Sequence, residues 1–234
     1  IIGHVGIDET NRRFFVSDHG KLKIFAYDLD SVLTTPEYQP SVKIDMKKKL
    51  FPDDYLYLND TLCIARIIEP VGNNDYKPSV ARWNMATGEI NPMPYEYPDL
   101  KKVRFIYAAS AEHQLYVQCY TQYDLMTICD FNGNLKCNIY GPKWVNEKTQ
   151  TQNYSLGVEF CGDKILALYS GGDHRTDAYY PTKFLVFDLN GNYLKTLETG
   201  YMITDFCYDK ENNRLIINLN DEIQFAYLDL EGII

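Results

Sequence analysis

The segment Phe187-Asp188-Leu189-Asn190-Gly191-Asn192 decides the fold, because it is one of five copies of the same strand ending. In each copy an apolar or aromatic strand ends in Asp or Asn and a polar turn follows; the other copies lie at residues 27–30, 83–88, 129–134 and 228–232. Asn-Gly pairs tolerate the positive φ that a tight hairpin turn requires, and the preceding Asp can accept hydrogen bonds from the amides of the turn. The sequence therefore predicts hairpin turns, with Gly133 and Gly191 at positive φ.

The spacing of these copies predicts the architecture. The turn residues Asp28, Asn84, Asp130, Asp188 and Asp229 are 56, 46, 58 and 41 residues apart. Each of the two longer intervals contains a polar insertion of about ten residues, at 69–78 and 171–181. Without the insertions the period is ~46 to 48 residues, which is typical of a four-stranded propeller blade. We predict an all-β fold, a β-propeller of four-stranded blades with five recognisable repeats.

Composition limits the partners. The 234 residues are enough for a single β-propeller domain over residues 1–234, and the formal net charge is −9. An acidic chain lacks the basic face that neutralises nucleic-acid phosphates or attaches to an anionic membrane, so neither is an expected partner. The six cysteines lie mostly within predicted strands, which favours free thiols, and Cys119 and Cys129 are the one local pair that could form a disulfide.

A ligand site is predicted where the insertions fall. Both join the second strand of a repeat to the third, so we expect them on one face of the propeller, on either side of the loop at 120–124. Aromatic rings together with carboxylates, amides and one Arg suit a sugar or a peptide. Ordinary solvated loops are the alternative. The predicted ligand-binding residues are Asn73, Asp75, Tyr76, Tyr120, Tyr123, Asp173, His174, Arg175, Tyr179 and Tyr180.

Catalysis has weaker support in the sequence. His174 follows Asp173 and is a candidate general base, but no Gly-x-Ser-x-Gly elbow supplies a serine nucleophile. A metal-dependent lactonase would need carboxylates on the innermost strands, where Asp8, Glu159 and Asp205 are the candidates. The sequence therefore favours a non-enzymatic protein with no cofactor and no metal, and leaves an enzyme as an alternative.

The N-terminal region resembles a known family. The segments GHVGIDETNRRFFVSDHGK at residues 3–21 and IFAYDLDSVL at residues 24–33 are similar to the TolB-like six-bladed propeller family of Bacteroidetes lipoproteins. The turn at 130–134 and the segments at 38–40 and 140–142 fit as well. The resemblance covers nearly the whole chain, but its motifs are structural turn signals and not catalytic motifs.

The resemblance implies export to the periplasm or cell surface, an upstream lipid anchor, an N-terminal blade that this chain lacks and an unknown ligand. It transfers no catalytic residues. Our first hypothesis is an exported propeller that binds a ligand or a protein partner through loops on one face. The alternatives are a metal-dependent propeller hydrolase or lactonase and a structural scaffold in a cell-envelope complex.

Overall fold

The computed structural model describes residues 2–72 and 75–234, and this part of the chain is almost entirely β-structure. A short helix, α1 at Leu29–Thr34, and a 3-10 helix at Asp177–Tyr179 interrupt the strands. The strands are β1 Ile2–Asp8, β2 Arg13–Asp18, β3 Lys23–Asp28, β4 Ser41–Asp45, β5 Phe51–Asn59, β6 Leu62–Gly72, β7 Asp75–Asn84, β8 Glu89–Pro92, β9 Phe105–Ser110, β10 Leu115–Tyr120, β11 Leu125–Asp130, β12 Leu135–Tyr140, β13 Thr151–Cys161, β14 Lys164–Asp173, β15 Lys183–Asp188, β16 Tyr193–Glu198, β17 Ile203–Asp209, β18 Arg214–Leu219 and β19 Phe225–Asp229.

Consecutive strands pair antiparallel into five sheets within the described residues. Blades 1 to 4 are β1–β4, β5–β8, β9–β12 and β13–β16, and blade 5 has the three strands β17–β19. The predicted all-β, β-propeller fold class is confirmed. The chain divides into two compact units, Ile1–Glu96 with blades 1 and 2 and Tyr97–Ile234 with blades 3 to 5.

The core of each unit lies between neighbouring sheets, because successive side chains of a strand point to opposite faces. In β14, Ile165 and Ala167 pack into a cluster with blade 3, whereas Leu166 and Leu168 pack into a second cluster with blade 5. Strands with two buried faces are therefore largely apolar, and every residue of β10 is buried, Gln118 included. In the first unit, Phe15, Ile24, Tyr55 and Trp83 belong to the equivalent cluster.

The Asn-Gly turns have the predicted geometry. Gly133 and Gly191 have φ of 79° and 85°. The Asp130 carboxylate accepts hydrogen bonds from the Asn132 and Asn134 amides at 2.8 and 2.9 Å. The Asp188 carboxylate is bonded in the same way, and its hydrogen bonds from the side chain and amide of Asn192 hold its pKa below the usual value.

The first copy of the repeat differs from the prediction. Asp28 does not open a tight hairpin turn but caps helix α1, and its Oδ1 accepts a hydrogen bond from the Ser31 amide at 2.7 Å. No glycine follows Asp28, so the chain lacks the residue that takes positive φ in the Asn-Gly copies. Asp28 instead accepts a hydrogen bond from a free amide at the start of helix α1, which is a common role of Asp at a helix N-terminus.

The strand registers place Cys119 and Cys129 apart. Cys119 lies opposite Met126, and Cys129 lies opposite Tyr116, so the two thiols are on opposite faces of the sheet. All six cysteines are free in the part of the chain that the structure describes. Burial raises the pKa of the Cys129 thiol to about 11 and that of Cys63 to about 12.

Candidate functional site

The second insertion forms a compact loop between β14 and β15. Ser170 Oγ donates a hydrogen bond to the carbonyl oxygen of Ala178 at 2.6 Å. A Cβ at Gly172 would lie 1.8 Å from the same oxygen, so only glycine allows the two arms of the loop to approach this closely. The loop is therefore held in one conformation by its own contacts.

Arg175 is already paired within this loop. Its Nε and Nη2 atoms lie 3.0 and 2.6 Å from the two carboxylate oxygens of Asp173, and its amide also donates to Oδ1 at 3.0 Å. The hydrogen bonds from Arg175 hold the pKa of Asp173 well below its usual range. Both side chains are accessible to solvent, so the loop presents an ion pair to a ligand and not an isolated cation.

His174 ties the loop to the connection between β12 and β13. Its amide donates to the Gln150 carbonyl at 3.2 Å, and its Nδ1 lies 3.0 Å from the same oxygen. Because a carbonyl can only accept, Nδ1 carries the proton in this arrangement. Asp173 Oδ1 is 3.7 Å from Nδ1, which is longer than a hydrogen bond, so Asp173 does not orient the ring as the partner of a general base would.

Tyr179 and Tyr180 stack on each other at the end of the loop. Their ring centroids are 4.2 Å apart and the planes are 30° from parallel. Both residues are half-buried, so parts of the rings remain accessible. Tyr179 and Tyr180 are the residues that the sequence predicts for stacking. They lie in the same loop as the Asp173–Arg175 pair.

Tyr120 and Tyr123 are buried. They are 3% and 2% exposed, so their rings offer no free face. The Tyr123 hydroxyl donates to the Lys101 carbonyl at 2.8 Å and accepts from the Lys101 amide at 3.2 Å. Tyr120 packs edge-on against Phe105. Tyr123 is thus bonded to the connection that precedes β9, and Tyr120 packs within blade 3.

An aromatic cluster that the sequence analysis missed lies in the same unit. Tyr97, Tyr140 and Trp144 have ring centroids 5.1 to 6.4 Å apart, and the Tyr97 and Tyr140 hydroxyls are 3.3 Å apart. Tyr140 is 50% exposed. The signal in the sequence is weak, because Tyr97 lies 43 residues before Tyr140 and the connection that carries Trp144 looks like a polar linker.

Buried Asp124 fixes this cluster. Its Oδ2 accepts from the Lys143 amide at 2.9 Å, and its carbonyl accepts from the Gly141 amide at 2.8 Å. A Cβ at Gly141 would lie 2.2 Å from the Asp124 carboxylate. The Trp144 amide in turn donates to the Gly141 carbonyl at 3.0 Å. The tryptophan is thus positioned by a short chain of contacts that begins at a buried carboxylate.

Two further bonds join this connection to β14 and to the loop between β10 and β11, respectively. Lys143 Nζ donates to the Gly171 carbonyl at 3.3 Å, and the Thr149 amide donates to the Gln122 carbonyl at 3.3 Å. We call the combined surface the blade 3–4 rim: Tyr97, Tyr140, Lys143, Trp144, His174, Arg175, Tyr179 and Tyr180. The rim is a set of rings and charged groups on connections that are tied to one another.

The first insertion lies in the first unit and is mostly strand. Strands β6 and β7 stay paired through Glu69 with Lys77 and Pro70 with Tyr76, and the pairing reaches Gly72 with Asp75. Asp75 Oδ1 accepts a hydrogen bond from the Tyr76 amide at 3.0 Å. Asn73 and its neighbour Asn74 lie outside the described residues. The predicted groove needs residues of both units, so it stays a prediction.

The candidate metal-binding carboxylates have the following surroundings. Asp8 is bonded to Arg13 at 2.6 Å and to the Asn11 side chain at 2.9 Å. Burial disfavours its charge, but these partners outweigh burial and lower its pKa. Asp205 accepts a hydrogen bond from the Phe206 amide at 2.9 Å, and Glu159 lies in β13. In residues 2–72 and 75–234, no three His, Cys, Asp or Glu side chains form a group that could hold a metal ion.

No helix in the described part of the chain is long and apolar enough to cross a membrane.

Comparison with known proteins identifies the fold and no family. No protein-family model matches the chain, and no curated protein matches it. A solved extracellular domain of BT4673 from B. thetaiotaomicron, described as a hybrid two component system, aligns over 100% of this chain and 28% of its own, with 10% identity and a TM-score of 0.61. This chain thus spans little more than a quarter of that protein's solved domain.

Two other solved structures give similar alignments. The gluconolactonase XC5397 from Xanthomonas campestris aligns over 93% of this chain and 69% of its own, with 16% identity and a TM-score of 0.57. A chain of the nidogen/laminin complex aligns over 99% of this chain and 77% of its own, with 11% identity and a TM-score of 0.61. At these identities the similarity shows a shared β-propeller fold alone.

Proposed function

We propose that this protein is a non-enzymatic, exported β-propeller that binds a carbohydrate ligand at the blade 3–4 rim. The observation that carries the proposal is the Tyr97–Tyr140–Trp144 cluster, held by buried Asp124 next to the Asp173–Arg175 loop. Flat rings fixed on tied connections suit the apolar faces of a sugar, because little side-chain freedom is lost on binding.

The polar groups of the rim supply the rest of the site. The Arg175 guanidinium has five N–H donors. Its pairing with Asp173 uses one donor on Nε and one on Nη2. The remaining donors and the Asp173 carboxylate suit a ligand with several hydroxyl groups. Tyr179 and Tyr180 offer a second pair of rings on the same loop. The residues predicted from the first insertion, Asp75 and Tyr76, lie in the first unit and stay a separate prediction.

Export and family membership belong to the proposal. The similarity to an extracellular domain supports export to the periplasm or cell surface. The TolB-like relationship, a six-bladed full protein and an upstream lipid anchor rest on the resemblance of residues 3–21 and 24–33. Fractionation of cells that make the full-length precursor, with and without inhibition of lipid attachment, tests export and the lipid anchor.

Tryptophan fluorescence gives a direct test of binding. The chain has two tryptophans, and Trp83 is buried in the first unit, so a Trp83→Phe variant reports on Trp144 alone. We expect oligosaccharides that bind on a glycan array to shift Trp144 emission, and Tyr140→Ala to weaken that binding about tenfold. Tyr193→Ala is a matched control, because Tyr193 is 56% exposed and starts its fourth strand, whereas Tyr140 ends one.

The outcomes separate the hypotheses. If no array ligand changes Trp144 emission, or if Tyr193→Ala weakens binding as much as Tyr140→Ala, the rim is not the sugar site. If the protein captures a peptide or an envelope protein, and Tyr140→Ala abolishes that capture, the rim is a binding site but its ligand is not a sugar. Metal-dependent hydrolysis of a lactone by the purified protein would favour the enzyme alternative.

A further inference from the structure

The connections that carry the Trp144 cluster are basic, although the chain as a whole is acidic. Residues 97–104, with which the second unit begins, and residues 141–150, which join β12 to β13, together contain five Lys or Arg and two Asp or Glu. The segment 171–181 adds Arg175 and two Asp residues, so the balance of the three segments stays positive. The formal net charge of the whole chain is −9, so positive charge is concentrated where the rings lie.

Lys143 carries a positive charge that no described carboxylate compensates. Its Nζ donates to the Gly171 carbonyl at 3.3 Å. A carbonyl oxygen is neutral, so this bond holds the ammonium in place and leaves its charge available. The Lys143 amide is fixed as well, by its bond to Asp124 Oδ2 at 2.9 Å. The ammonium is thus held between the Trp144 connection and β14, on an exposed side chain.

Arg175 differs from Lys143 in this respect. Its Nε and Nη2 atoms both bond to the Asp173 carboxylate, so the pair is neutral as a whole. An anionic group of a ligand has to compete with Asp173 for Arg175, and has no such competitor at Lys143 among the described side chains. The lysines that pair with carboxylates lie outside the two basic connections: Lys21, Lys23, Lys43, Lys77, Lys164, Lys183 and Lys210.

Lys101 is a second cation whose backbone is tied to the same rings. The Tyr123 hydroxyl bonds to both the amide and the carbonyl of Lys101, and the Tyr123 ring centroid lies 6.3 Å from that of Trp144. The Lys101 side chain is exposed, and none of the described carboxylates lies within ion-pair distance of it. The Asp124 carboxylate is 2% exposed, so it is not offered to a ligand.

We propose that the carbohydrate bound at the blade 3–4 rim is acidic, namely an oligosaccharide of uronic acid residues. Its carboxylates pair with Lys143 and Lys101, and its ring faces stack on the Tyr97–Tyr140–Trp144 cluster. A bond between an ammonium and a carboxylate is stronger than one between neutral groups, and a positive region raises the local concentration of an anionic ligand. This inference rests on the proposed sugar site and specifies the class of its ligand.

Matched oligosaccharides test the charge. Short oligosaccharides of galacturonate, glucuronate and mannuronate are each compared with their carboxyl-reduced forms, which keep the rings and linkages but have no carboxylates. Trp144 emission in the Trp83→Phe variant reports binding. We expect at least one acidic oligosaccharide to bind about tenfold or more tightly than its reduced form at low salt. This preference should fall as the salt concentration rises to about 0.5 M, because exposed charges are then screened.

Three variants assign the preference to a residue. Lys143→Gln should lower the ratio of acidic to reduced affinity about threefold or more, whereas Lys143→Arg keeps the charge and should keep most of the ratio. Lys136→Gln is the matched control, because Lys136 is exposed at the start of β12 and Tyr140 lies at its end. A variant that only disturbs the surface lowers both affinities and leaves their ratio unchanged.

The outcomes separate this inference from the proposed function. If every acidic oligosaccharide binds no more tightly than its reduced form, the inference is wrong. Binding of a reduced form that Tyr140→Ala weakens would then still support a sugar site. A preference that Lys143→Gln leaves intact, or that Lys136→Gln lowers equally, also overturns the inference. If no saccharide of either kind, and none on the glycan array, changes Trp144 emission, the proposed function fails together with it.

Discussion

The two insertions of the repeat are nearly equal in length, yet they take different structures. In the first unit, β6 and β7 continue their ladder through residues 69–72 and 75–78. In the second unit, β14 leaves its pairing with β15 at Tyr169, and the chain folds into a loop with a 3-10 helix. Insertion length thus identifies where a blade is extended, and does not determine whether the extension is a ladder or a folded loop.

The difference comes from a few local contacts. Gly171 has φ of 73°, and Gly172 allows the Ala178 carbonyl to approach within a distance that no Cβ would permit. Ser170 and His174 then bond to carbonyls of the loop and of a neighbouring connection. In the first insertion, no atom of the described residues, apart from the chain neighbours of Gly72, lies within 4 Å of the position of a Cβ added at Gly72. The two glycines therefore differ in the same way as the insertions that contain them: Gly172 has a close backbone neighbour across its loop, and Gly72 has none among the described residues.

The largest expected effect separates these two glycines. Gly172→Ala forces a Cβ into the Ala178 carbonyl, and we expect a loss of about 1 to 3 kcal/mol in the free energy of unfolding. Gly72→Ala meets no atom of the described residues, and we expect a change within about 0.5 kcal/mol. Urea denaturation of both variants measures the difference. Equal midpoints would show that the close approach at Gly172 does not hold the loop.

Gly171 should give the next effect. Because its φ is 73°, Gly171→Ala places a side chain in the left-handed region and should destabilise the protein by about 1 kcal/mol. Gly171→Asn should cost less, since Asn adopts this region more readily than Ala. The same denaturation experiment ranks the variants. If Asn is as destabilising as Ala, crowding against the Tyr169 ring is the cause and backbone strain is not.

The fold could be predicted because its signals are local. Two-residue alternation defines the strands, and Asn190-Gly191 defines a turn whether or not the rest of the chain is known. The candidate surface depends on contacts between distant segments. Asp124 reads as one more polar loop residue, yet it is 2% exposed and positions Trp144 through Gly141. Tyr123 also reads as a loop residue, and only the structure reveals that it is buried.

His174 should affect the loop without affecting the whole protein. His174→Ala removes the ring's bond to the Gln150 carbonyl, so we expect amide hydrogen exchange in residues 174–180 to rise about tenfold, with little change in the global unfolding midpoint. Lys77→Ala is the control in the first insertion. It removes only an exposed ion pair with Glu96, and exchange across β6 and β7 should stay the same.

The smallest expected effect is electrostatic and concerns Asp173. Hydrogen bonds from Arg175 lower its pKa in the folded state, so their stabilising contribution is present above the unfolded pKa, about 3.9, and is lost as pH falls through the lower folded value. Arg175→Gln should move the Asp173 pKa up towards that ordinary value, and loosening of the loop, followed by hydrogen exchange, should then begin at a higher pH. A carbon-13 NMR titration of the Asp173 carboxyl measures the shift. His174→Ala should move it less, because His174 contributes only a minor electrostatic effect. An Asp173 pKa that is the same with and without Arg175 would show that the ion pair does not persist in solution, and the loop would then present a free guanidinium to its ligand.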